Sequence, residues 1–110
     1  MLDLALTFQG HHKAHAALLV PTVEKLGGKP VLAKAKYDFS VDQLKSQADV
    51  LKFAAKLEQG AVSAYPGAVP LFASRDLFKA AASILGDEAM YWAILRQALG
   101  EVPVPTAFMT

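Results

Sequence analysis

Residues 44–72, LKSQADVLKFAAKLEQGAVSAYPGAVPLF, decide the fold of this 110-residue chain. Leu44, Ala48, Leu51, Ala55, Glu58, Val62, Tyr65, Val69 and Phe72 recur at spacings of four and three in alternation. That rhythm marks one face of an α-helix, whereas a strand would repeat every second residue. The line is apolar apart from the tip of Tyr65 and one charged member, Glu58, near its centre. Ser40 with Gln43 three residues later has the form of a capping box, so a helix is expected over residues 41–72. Pro66, Gly67 and Pro70 disturb its last third, and a bend is expected near residue 66.

Working outward, the C-terminal side repeats the pattern. Leu77, Ala81, Ile84, Glu88, Tyr91, Leu95 and Ala98 share a face, with Glu88 and Tyr91 at its middle. Ser74 and Asp76 open this helix and Gly100, Pro103 and Pro105 close it, which gives residues 74–99 and leaves EVPVPTAFMT non-helical. On the N-terminal side a helix is expected over residues 3–26, halted by Gly27, Gly28 and Pro30. Its face carries Phe8, His12, His15, Leu19, Thr22 and Leu26, and Pro21 inside it is expected to kink or shorten it. Residues 29–39 lack helical periodicity and read as a crossover loop. The expected fold class is therefore all-α, three long helices in one domain spanning residues 1–110.

The overall composition excludes several function classes. The chain is 54% hydrophobic and 19% charged, which suits a helix-rich globular protein and not a disordered one. Eleven Lys and Arg against ten Asp and Glu leave a formal charge of +1, too little to favour nucleic acid or an anionic membrane surface. With no Cys there is neither a disulfide framework nor a thiolate metal site, so any metal must be held by His and carboxylate. MLDLALTFQGHHKAH has neither the basic start nor the long apolar run of a signal peptide, and a cytoplasmic, soluble protein is expected. No serine lies in a nucleophile-elbow context, and Gly27-Gly28 follows a helix instead of opening one, which argues against hydrolase and nucleotide chemistry.

What remains is the polar residues set into apolar faces. An ionised carboxylate in low dielectric is costly unless paired, protonated or bound to a cation, so Glu58 and Glu88 each require a partner. His12 and His15 are three residues apart and His11 and His15 four apart, on neighbouring turns of one face, which makes joint coordination feasible. Helical bundles that hold metal use inward-pointing Glu and His at such spacings, and this chain has a partial version of that set. The competing reading is a buried pair, Glu58 and Glu88, raised in pKa and hydrogen-bonded to Tyr91, Tyr65 or a histidine. Tyr65, Tyr91 and Trp92 read as packing groups with a polar tip, and Lys34, Lys36, Lys45, Lys52 and Lys56 as a solvated surface.

The segments FQGHHKAHAALL, KLGGKPV, KYDF, LEQGAVSAYPGAVPLF, ASILGDEAMYWAILRQALG and VPVPTAF, in this order, resemble the bacterial ferritin-like domain family. The resemblance covers most of the chain and implies an up-down helical bundle whose later helices are those present here. It implies a mid-bundle metal site at His12, His15, Glu58 and Glu88, with Tyr91 as an outer or weak ligand. Departures are visible: the family's Glu-x-x-His is matched by His12 and His15 in one helix and by Glu88 and Tyr91 in the last. The family's first helix, with its own glutamate, has no counterpart before Met1. A set so poor in bridging carboxylates suits zinc, copper or a single iron better than a dinuclear iron centre. The resemblance thus implies a metal ion (Fe, Mn or Zn) as cofactor, a role in iron handling or oxidative stress, and a homodimer that completes the bundle. The alternative is a metal-free helical dimer that has kept the fold for a structural or partner-binding role.

Overall fold

The computed structural model describes residues 1–109. In chain order it contains α1 (Leu2–Lys25), a 3-10 turn (Val41–Gln43), α2 (Gln47–Ala68), a second 3-10 turn (Val69–Leu71) and α3 (Arg75–Ala98). No strand occurs among the described residues. The chain divides into two compact units, Met1–Phe39 and the remainder from Ser40 onward.

The first unit is α1 and an extended segment. The helix runs through Pro21 and ends where the glycines stand. Gly27 takes φ +83, its N–H bonds to the Glu24 carbonyl at 3.0 Å, and the Gly28 N–H bonds to the Val23 carbonyl at 2.9 Å. This pair of bonds is a Schellman closure, which needs the left-handed region at Gly27 and so excludes a β-carbon there at low cost. None of the residues of α1 is buried; Leu4, Phe8, His15, Val20, Thr22 and Val23 are half-buried.

The second unit is an α2–α3 hairpin. Its N-terminal cap differs from the expected one: the Ser40 side chain caps nothing, and α2 begins only at Gln47. Ser46 accepts from the Asp49 N–H at 3.1 Å, while the Asp49 carboxylate accepts from the N–H groups of Ser46 (3.1 Å) and Lys45 (3.3 Å). An ionised carboxylate is a better acceptor than the amide of Gln43 and also complements the positive end of the helix, so this box wins. The hydrogen bond from Ser46, with the two backbone donors, holds Asp49 below the usual carboxylate range.

At its other end, α2 passes through Pro66 as far as Ala68 and tightens into the Val69–Leu71 turn. The single helix expected over residues 41–72 is thus a 3-10 turn, an α-helix and a second 3-10 turn. Ser74 caps α3 by accepting from the Leu77 N–H at 3.4 Å, and Phe72 meets Phe78 edge-on across the corner at 6.3 Å. The two stripes face each other, and the core consists of Ala55, Val62, Ala81, Ile84, Tyr91, Trp92 and Leu95. Of the expected α2 stripe only Ala48 is exposed, and of the α3 stripe only Ala98.

Candidate metal centre

Glu58 and Glu88 are the two buried charged residues of the core, 7% and 4% exposed. Glu58 follows Ala55 by three residues and precedes Val62 by four, and Glu88 follows Ile84 by four and precedes Tyr91 by three. The spacing that buries their neighbours therefore buries them too. Their carboxyl groups are hydrogen-bonded to each other, which requires that one of them hold a proton. Burial, then the hydrogen bond and the charge of Glu88, push Glu58 up from 4.5 to about 8. The pair is a proton-sharing dyad of the kind that forms when two carboxylates cannot both ionise in one dry site.

Two tyrosines border the dyad, both held neutral. Burial and then the nearby Asp87 push Tyr91 up to about 12, and its hydroxyl donates to the Asp87 carboxylate. Glu58 and Glu88 add to that shift, as does the charge of Glu88 to the upward shift of Tyr65. Tyr91 thus offers the dyad its field and bulk, with its proton committed to Asp87. Asp87 escaped notice in the sequence because it stands one residue off the apolar stripe. Its spacing of four from Tyr91 was the available signal.

In α1, His12 and His15 form a pair of their own. Their rings meet edge to face at 5.7 Å between centroids, with His12 exposed and His15 half-buried. One turn of helix accounts for this, since residues three apart stand one above the other. The structure therefore brings together the two glutamates with Tyr91 in one unit, and the two histidines in the other.

An all-helical chain with a buried carboxylate dyad at mid-helix, and histidines at one-turn spacing, has the donor types of the metal-binding bundle proteins. The family model of the ferritin-like domain matches residues 1–101, and the chain belongs to that family. No curated protein and no solved structure matches it. No helix among the described residues is long and apolar enough to cross a membrane.

Proposed function

We propose that this ferritin-like protein binds a metal ion through Glu58, Glu88, His12 and His15, with Tyr91 beside the carboxylates. The observation that carries the reading is the buried dyad. Two carboxylates forced to share a proton in a dry core form a site that a divalent cation suits better, because it neutralises both. Binding there releases the shared proton, as ligand deprotonation requires. Two carboxylates and two imidazoles are hard to borderline donors, and that chemistry fits iron, manganese or zinc. When iron is bound with an open coordination position, the ion supplies redox chemistry, which is the basis for a role in iron handling or oxidative stress. The protein's own contribution is to hold the donors, exclude water around the carboxylates and keep Tyr91 protonated through Asp87.

The oligomer proposed is a homodimer in the cytoplasm, supported by the apolar residues left at the surface of both units. A second reading, a metal-free helical dimer, is favoured by the same dyad, since a shared proton already satisfies the two carboxylates without an ion.

Elemental analysis of untagged protein separates the two. Metal near one ion per chain that is lost in both Glu58→Ala and Glu88→Gln, and reduced in His15→Ala, supports the metal site. Protein that carries no metal after growth with added iron, manganese and zinc, and whose melting temperature ignores all three, overturns it.

A further inference from the structure

Beside the buried face of the hairpin lies a second feature, chemically opposite to the dyad. A cavity of about 220 Å³ opens in the unit from Ser40 onward, lined by Lys52, Lys56 and Gln59 of α2 and by Trp92, Arg96 and Glu101. Lys52 and Lys56 are four residues apart and stand on one helix face. With Arg96 they bring three cations into the lining against one lining carboxylate, Glu101, while Asp49, one turn away on α2, interacts with Lys52 from outside the lining.

Arg96 is fixed in three ways. Its Nε donates to the Val102 carbonyl at 2.7 Å, a terminal nitrogen pairs with Glu101 at 2.9 Å, and the guanidinium lies over the Trp92 ring, 5.1 Å from its centroid. Of the five N–H donors of a guanidinium these contacts use two, so three stay available on a group that has already lost its rotamer freedom. Glu101 is itself held there by the closure of α3: Gly100 takes φ +76, and the Glu101 N–H bonds to the Arg96 carbonyl at 2.9 Å. The chain thus supplies one carboxylate to a site with positive charge left over.

We propose that this cavity is a binding site for a small multivalent oxyanion, a phosphate or a polycarboxylate, which Lys52, Lys56 and Arg96 hold and for whose place at Arg96 the Glu101 carboxylate competes. Charge and shape both lead to this class. The cations outnumber the carboxylates around them, and a planar guanidinium with paired donors matches carboxylate and phosphate oxygens. A volume of about 220 Å³ is enough for a compact anion. The site is independent of the metal reading, since none of its residues is a proposed ligand.

Trp92 is the one tryptophan of the chain and lines the cavity, so its fluorescence reports occupancy. The full chain is titrated with inorganic phosphate and, separately, with citrate, both at constant ionic strength against chloride. Saturable quenching or enhancement is expected with at least one of them, and the tighter of the two identifies the source. Combining Lys52→Gln with Lys56→Gln, both exposed positions, is expected to weaken binding by about tenfold. Glu101→Gln, which removes the competing charge, is expected to tighten it severalfold. A signal that chloride reproduces, affinity unchanged in the double lysine variant, or affinity weakened by Glu101→Gln overturns the proposal.

Discussion

At the scale of single residues, the carboxylate dyad makes stability depend on pH in an unusual direction. Most acidic groups in a folded protein have lowered values and lose their contribution as pH falls. Glu58 has a raised one, from 4.5 to about 8, so the folded state binds the proton more tightly than the unfolded chain. Its contribution is fully present below 4.5 and is lost as pH rises through about 8. Asp49, lowered by its Ser46 cap, acts in the ordinary sense, but below the usual carboxylate range and outside this window. Protein stripped of metal with a chelator is therefore expected to melt at lower temperature as pH rises from about 5 to 8. Glu58→Gln, which keeps the shape of the neutral form, is expected to flatten that slope. A melting temperature that climbs across the window in the wild type would contradict the dyad. Both glutamates were legible in the sequence because each interrupts an otherwise apolar stripe. The link from Tyr91 to Asp87 was not, because Asp87 stands off that stripe and only the fold shows which carboxylate accepts the hydroxyl's hydrogen bond.

At the scale of elements, helix existence followed from periodicity while helix ends followed from local hydrogen bonding, and the two were not equally readable. The glycine stop of α1 was plain: Gly27 and Gly28 close it as a Schellman motif. The start of α2 was not. Ser40 and Gln43 match the capping template as well as Ser46 and Asp49 do, and a carboxylate's advantage as acceptor decides between them. The consequences are measurable. Ser46→Ala is expected to cost about 1 kcal/mol, and Ser40→Ala next to nothing, in denaturant unfolding monitored by circular dichroism. Gly27→Ala forces a β-carbon into the left-handed region and is expected to cost about 1 kcal/mol. Pro21 acts the other way. It sits inside α1 on an exposed face, where it removes a backbone hydrogen bond, so Pro21→Ala is expected to stabilise the helix by up to about 3 kcal/mol. A drop in stability for Pro21→Ala would mean that the local backbone geometry proline imposes here is needed by the fold.

At the scale of the whole molecule, the question is what covers the apolar surface. Val31 and Leu32 in the extended segment are 94% and 75% exposed, and Leu2 of α1 is 72% exposed. Single exposed apolar residues are ordinary, but two consecutive ones this exposed are candidates for a contact surface. The expectation of a dimer came from the resemblance to ferritin-like bundles. Only the fold shows that Val31 and Leu32 stay exposed while Tyr37 and Phe39 of the same segment meet each other, ring centroids 6.2 Å apart. Light scattering is expected to give a mass about twice 11.8 kDa at micromolar concentration. Because Val31 and Leu32 are already in water in the single chain, changing them to glutamate costs that chain little. The double change Val31→Glu with Leu32→Glu is therefore expected to leave helical content intact while shifting the mass toward the monomer. A wild-type monomer at high concentration would remove the dimer from the proposal. A dimer that ignores the double change would keep the dimer and move its interface elsewhere, to α1 or to the C-terminal segment where Val104 and Phe108 are 76% and 79% exposed. Measuring metal content on the same samples tells whether the ligand set depends on the second chain. Stoichiometry that falls with the mass means the partner completes or shields the site, and stoichiometry that holds means each chain carries its own.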